Sequence, residues 1–243
     1  MKIIAWDIET THNIIAAFDL YNPNPVANIL QEKYIISASW TEIGSGKIRS
    51  VSVLDDPAGT DATVVADLLE VFNTADAVVA HYGDKFDMRF FMSRVIYWGF
   101  NPPPPVIQID TYKIAKSKFK FNSNKLDYLG KFLGVGEKKK TENGLWLRCL
   151  AGDTKAIKEM IVYNKQDVQL LVDVYNKLAP FVPARMNRNL HSTVPCCPLC
   201  GENKLQHRGT RKTITREYVR YQCQSCGKWS SSTNAIKTVE VAQ

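Results

Sequence analysis

The sequence predicts an α/β protein: a mixed sheet flanked by helices, followed by a small domain built on four cysteines. Three observations predict it. Strand-like segments open the chain and then alternate with segments of helical periodicity, the order of a mixed sheet covered by helices. Ala179 to Pro195 carries three prolines and no clear period, as a linker does. Beyond it stand two Cys-x-x-Cys pairs, Cys197/Cys200 and Cys223/Cys226. These bounds give a first domain over 1–180, a linker over 181–194 and a second domain over 195–243.

Taken in order, Lys2 to Ile8 reads as a buried strand, with Ile4, Trp6 and Ile8 on one face and Ile3, Ala5, Asp7 and Glu9 on the other. Residues 12–33 carry Asn-Pro-Asn-Pro and little periodicity, and read as mostly loop. Residues 34–43 and 47–54 are rich in Ile, Val, Ser and Thr, and Gly44-Ser45-Gly46 joins them as a hairpin. In 61–74, Val64, Leu68, Leu69 and Phe72 fall at helical spacing. The apolar run Ala77–Ala80 is an inner strand. Phe86 to Trp98 reads as a helix stopped by Asn101 through Pro105. Val106 to Tyr112 is a further strand, and Asn124 to Leu133 a short helix ended by Gly134. Thr154 to Leu178 is a long helix whose Ile157, Ile161, Val168, Leu171, Val172 and Tyr175 face a core.

A hydrophobic share of 45% and a charged share of 23% over 243 residues exclude a wholly disordered or fibrous chain. No apolar run approaches the roughly 18 residues of a membrane span, and Asp7 comes too early for a signal peptide. The expectation is an intracellular, cytoplasmic protein, compatible with association with the nucleoid and without a membrane partner. The net charge of +7 is uneven. Residues 191–243 hold eight Lys and Arg against three Glu, and residues 113–140 hold nine Lys against Asp127 and Glu137. Such a balance suits a polyanionic partner, and solvated surface has the same composition.

Three acidic clusters carry the chemistry. Asp7 and Glu9 are two apart on one strand, so both carboxylates project from one face. Like charges so placed are unfavourable unless a cation lies between them, and Mg²⁺ favours a few carboxylates with its waters retained. In His81-Tyr82-Gly83-Asp84-Lys85-Phe86-Asp87, Asp84 is placed to cap the following helix and Asp87 to lie in its first turn. Asp110, at another strand end, is a rival carboxylate, and spacing alone leaves the choice open. Tyr163 and Asp167 are four apart on the long helix and share a face bordering its apolar stripe.

Strand-end Asp-x-Glu, helix-start Phe-Asp and mid-helix Tyr-x-x-x-Asp, in this order, resemble the DEDD 3′→5′ exonucleases of the ribonuclease-H-like (DnaQ-like) superfamily, in their tyrosine-bearing subclass. The segment Lys125 to Lys138 also resembles one in the exonuclease domains of family B DNA polymerases. The resemblance covers about residues 1–178. One position departs from it: such enzymes often have Asn before the glycine of the second cluster, where this chain has Tyr82. The resemblance implies a ribonuclease-H-like fold and two Mg²⁺ or Mn²⁺ ions held by Asp7, Glu9, Asp87 and Asp167. It also implies that Tyr163 positions the attacking water in phosphodiester hydrolysis.

The two Cys-x-x-Cys pairs are separated by 22 residues and resemble a zinc ribbon, a closed four-thiolate site for one structural Zn²⁺. Cys196 abuts the first pair, so the register of that ligand stays open. Thr213 to Gln222 reads as a strand between the pairs. Arg208, Arg211, Lys212, Arg216 and Arg220 crowd this module, with Tyr218, Tyr221 and Trp229 nearby. Cations position phosphates and aromatics stack bases, so these residues are candidates for nucleic-acid contacts. The expected function is a metal-dependent 3′→5′ exonuclease on DNA, with single strands or 3′ ends as substrate. A separate polymerase or a replication or repair protein is its expected protein partner. The alternatives are an exoribonuclease of the same fold and a non-catalytic nucleic-acid-binding protein.

Overall fold

The computed structural model describes residues 1–17, 28–142, 144–182 and 187–240, and for His191 the backbone alone. By its contacts the chain divides into a unit of Lys2–Tyr175 and a second of Asn176–Gln243. The first contains β1 (Ile3–Thr10), β2 (Ile14–Ala16), β3 (Asn28–Gln31), β4 (Ile35–Glu42), β5 (Arg49–Ser52), α1 (Ala62–Asn73), β6 (Ala77–Ala80), α2 (Asp87–Tyr97) and β7 (Ile107–Asp110). It continues through α3 (Thr111–Lys118), α4 (Leu126–Phe132), α5 (Leu145–Leu150) and α6 (Thr154–Leu178), the last running past the division.

The main sheet has the order β5-β4-β1-β6-β7. β4 runs antiparallel to β1 and β5, whereas β6 runs parallel to β1 and β7. The fold is therefore the expected mixed α/β sheet flanked by helices. The alternation read from β1 sends one row of its side chains into a core. Ile4, Trp6 and Ile8 pack with Leu68 and Phe72 of α1 and Phe91 of α2. There the Trp6 and Phe72 rings meet edge to face at 4.8 Å, and Phe72 and Phe91 at 5.0 Å, a geometry that aromatic quadrupoles favour. A second core joins Ile36 of β4 to Leu145 and Cys149 of α5 and to Ala156, Ile157, Met160 and Tyr163 of α6.

Several elements differ from the sequence reading. Part of 12–33 forms a two-stranded antiparallel ribbon, β2 with β3, on exposed residues without an apolar alternation to reveal it. Residues 18–27, within the same stretch, lie outside the described residues. The strand expected through Tyr112 ends at Asp110, because the Asp110 carboxylate accepts from the backbone N–H of Tyr112 and Lys113 and starts α3. This cap explains the rival carboxylate. Asp84 does not cap α2: its carboxylate pairs with Lys113, and the N-cap position is Phe86, which makes no side-chain cap bond. α5, six residues long, has no counterpart in the sequence reading.

The second unit holds β8 (Leu205–Lys212), β9 (Arg216–Cys223) and β10 (Trp229–Thr238), a three-stranded antiparallel sheet of order β10-β9-β8. The single strand expected over 213–222 is its centre. Within the stretch read as linker, Arg188–His191 forms a short 3₁₀ turn, and 183–186 lie outside the described residues.

Candidate active site and cysteine centre

β1 pairs with β6 only through Ile3–Ala5, while its pairing with β4 continues to Thr10. Past Ala5 the β6 side of β1 is therefore open. β6 ends at Ala80, and the chain turns through Tyr82 and Gly83 into α2. This is the carboxyl end of the parallel strands, where open α/β sheets form their crevices. Ile8, on the open edge, donates its backbone N–H to Asp87 Oδ1 at 3.3 Å. The turn admits only glycine at 83, since a Cβ there would lie 2.3 Å from the Ala80 Cβ and 3.7 Å from Asp87 Oδ2. Tyr82, before it, has φ of 67°, the one non-glycine residue with positive φ among the described residues.

Asp7 and Glu9 leave β1 on the face that α6 covers. Carboxylate oxygens of Asp7, Glu9 and Asp167 all lie within 4.8 Å of one another. Asp87 is outside that triplet but close enough for its charge to act on Asp7. Tyr163, one turn before Asp167, lies against the same cluster. The structure thus gathers the five expected residues at one sheet end, three of them in mutual contact range.

The electrostatics follow from burial and like charge. Asp7 is pushed well above the usual carboxylate range, first by burial and then by Asp87, Glu9 and Asp167. Burial and Asp167 raise Glu9 to about 7. Burial raises Asp87 to about 6, against the Ile8 N–H. Asp167 is raised by burial and held down by Lys138. Tyr163 is pushed up to about 12 by burial and by Asp167. Four acids that resist ionisation together, with Asp167 Oδ1 buried and without a hydrogen-bond partner, fit a site for divalent cations.

Three supporting residues escaped the sequence reading. Lys138 pairs through Nζ with Asp167 and lies 3.5 Å from Tyr163 Oη. Asn164, fully buried, donates from Nδ2 to Asp7 Oδ2 at 2.7 Å. The Trp146 indole donates to Glu9, and its ring meets Tyr163 edge to face at 5.8 Å. His81 Nδ1 is 2.8 Å from Thr111 Oγ1, and burial lowers the imidazole to about 4, so it remains neutral.

In the second unit the sulfurs of Cys197, Cys200, Cys223 and Cys226 lie within 4.8 Å of one another. Cys196 is not among them; it is buried, and its N–H donates to Asn189 Oδ1. Each Cys-x-x-Cys turn closes alike. Gly201 and Gly227 take positive φ, and their N–H groups donate to the carbonyls of Cys197 and Cys223 at 2.9 Å. Sulfurs at 3.6 and 3.7 Å across the pairs fit a four-thiolate metal centre. Arg208, Arg211, Lys212, Arg216 and Arg220 are all exposed on β8 and β9. The Arg220 guanidinium lies 4.8 Å over the Trp229 ring, and its Nε donates to the Arg208 carbonyl.

The profile of the RNase H superfamily matches residues 29–179, more than half of the chain. The chain belongs to that superfamily. Among solved structures it is similar to the family B DNA polymerase from the hyperthermophilic archaeon Pyrobaculum calidifontis. The TM-score is 0.56 and the identity 14%, over 74% of this chain and 24% of the polymerase chain. That likeness is one of fold, and this chain spans about a quarter of the polymerase's length. No curated protein sequence matches it. No helix among the described residues is long and apolar enough to cross a membrane.

Proposed function

We propose that this chain is a divalent-metal-dependent 3′→5′ exonuclease acting on DNA, single strands or 3′ ends preferred, with a nuclease domain over 1–180 and a zinc ribbon over 195–243. The observation that carries the reading is the convergence of Asp7, Glu9 and Asp167 oxygens within 4.8 Å at the open end of β1. Membership of the RNase H superfamily and the fold shared with a DNA polymerase support it.

Asp7, Glu9 and Asp167 would hold one Mg²⁺ or Mn²⁺, and Asp87 beside Asp7 would help hold a second. When bound, such ions neutralise the phosphate and lower the pKa of water. The residues of the chain prepare that chemistry. Asn164 fixes the orientation of Asp7, and Trp146 that of Glu9. Lys138 pairs with Asp167 and opposes the burial that raises its carboxyl. Tyr163, neutral at physiological pH, orients a water by hydrogen bonding and does not take its proton. Cys197, Cys200, Cys223 and Cys226 would hold one structural Zn²⁺, and the five basic residues of β8 and β9 would bind phosphates.

A 5′-end-labelled single-stranded DNA incubated with Mg²⁺ or Mn²⁺ should shorten stepwise from its 3′ end, with release of mononucleotides and complete inhibition by EDTA. Internal cuts, 5′ trimming, or binding without release would overturn the reading. A parallel RNA substrate tests the choice of DNA.

A further inference from the structure

Beyond the carboxylate cluster, the first unit carries a second feature that its chemistry does not use. Four rings form a continuous ladder where α3 leads into α4. Phe119, which ends α3, has extended backbone, so Phe119 and Phe121 share a face. Their rings stack at 5.1 Å with an interplanar angle of 28°. Phe121 meets Phe132 edge to face at 5.0 Å, and Phe132 stacks on Tyr128, one turn back on α4, at 6.0 Å. A ladder that served packing alone would bury its rings. Here Phe132 is 61% exposed, and the other three are only partly covered.

The cations around the ladder are uncompensated. Lys116, Lys118, Lys120 and Lys125 are exposed, and none forms an ion pair among the described residues. Lys131 is different, being held by Asp127 at 2.9 Å and Glu137 at 3.2 Å. Ring faces flanked by free ammonium groups match one chemistry, a strand whose bases are unpaired and whose phosphates lie beside them. A duplex hides its base faces, and an acidic peptide offers none. The ladder is also joined to the catalytic cluster by one residue. Asp127 of α4 accepts from the Lys138 backbone N–H at 2.9 Å, while the Lys138 side chain holds Asp167.

We infer that Phe119, Phe121, Tyr128 and Phe132, with Lys116, Lys118, Lys120 and Lys125, form a platform that stacks the bases of single-stranded nucleic acid and guides the strand to the carboxylate cluster. The inference deepens the nuclease reading and rests on it for the strand's destination. The test uses the full-length chain, Phe132→Ala, and the fourfold variant with Lys116, Lys118, Lys120 and Lys125 replaced by Gln. All these positions are exposed, so the thermal melts should coincide. Binding of a labelled oligothymidylate of about 15 nucleotides is measured in EDTA, where no cleavage occurs. Phe132→Ala should weaken it at least about fivefold, the lower bound for one stacked base. The fourfold variant should flatten the dependence of log Kd on log salt by roughly 2 to 3, at about 0.7 per lost phosphate contact. Hydrolysis of the p-nitrophenyl ester of thymidine 5′-phosphate, too small to reach the platform, should be unchanged in both.

Equal affinity and equal salt slope in wild type and both variants would overturn the platform, as would a loss of ester hydrolysis, which would make these residues a support of the site. A wild type that cleaves neither substrate sinks the nuclease reading instead, and the EDTA binding comparison still decides the platform.

Discussion

Asp167 is a buried carboxylate that faces one cation, Lys138, while its other oxygen has no partner among the described residues. An isolated charge in that position is strongly unfavourable, so the lysine sets how readily the acid ionises. Lys138→Met should shift the acidic limb of the pH–rate profile upward and raise the Mg²⁺ concentration for half-maximal rate. A profile that stays in place would show that other groups keep Asp167 charged. Asp7→Ala or Asp167→Ala should abolish nucleotide release, a loss beyond the 10- to 100-fold typical of outer partners, with the fold and binding in EDTA retained. Tyr163→Phe belongs in that milder range, since its hydroxyl orients water; rates from single-turnover assays separate the two classes. Tyr82 carries backbone strain instead. A left-handed φ of 67° disfavours a bulky residue by about 1–2 kcal/mol, and Asn tolerates it. Tyr82→Asn should therefore raise stability by about 1 kcal/mol, read from chemical denaturation. An unchanged midpoint would mean that the contact of Tyr82 with Tyr112, at 5.0 Å, offsets the strain.

At the scale of elements, β1 concentrates the tension. Glu9 is raised to about 7 by burial and Asp167, and Asp87 on the abutting helix to about 6 by burial. Groups whose folded pKa lies above the unfolded value contribute stability that is present below the unfolded pKa and lost as pH rises through the folded one. Metal-free protein should therefore lose Tm between about pH 5 and pH 8. Added Mg²⁺ should restore it near pH 8 and do little near pH 5, where protons occupy the same oxygens; calorimetry at both pH values with and without Mg²⁺ checks this. A Tm rising over that interval without metal would contradict the assigned electrostatics. The same elements explain what the sequence made legible. Period-two alternation along β1 placed Asp7 and Glu9 on one face, and the i,i+4 row of α6 placed Tyr163 beside Asp167. Lys138 could not be found this way, because it meets Asp167 across 29 positions of chain, a contact created by tertiary folding. Asn164 adjoins Tyr163, yet its bond to Asp7 spans 157 positions. α5 was hidden for another reason. Its six residues are too few for a helical period to show, and packing against Ile36 and α6 helps stabilise it.

For the whole molecule, the carboxylates lie in one unit and the cysteine centre in the other. The charge is divided in the same way, with eight Lys and Arg against three Glu in residues 191–243. On the proposed reading, a basic module without the carboxylates would raise the local concentration of substrate and leave the chemical step alone. Truncation near residue 180 should then leave a folded nuclease with a higher KM, a weaker salt dependence and a nearly unchanged saturated rate. The full-length variant with Arg211, Lys212 and Arg216 all replaced by Gln should behave alike, its salt slope on single strands flattened by roughly 2, at about 0.7 per phosphate contact. Because the three side chains are exposed, this variant keeps the cysteine centre intact and separates lost charge from lost folding. Steady-state kinetics across a salt series on both proteins make the comparison. If the truncated chain kept its affinity and lost kcat, the ribbon would be a support of the active site and the tether would be wrong. If the truncation raised KM and the triple variant did not, the ribbon would bind through groups other than these cations, with the Arg220–Trp229 pair the next to test.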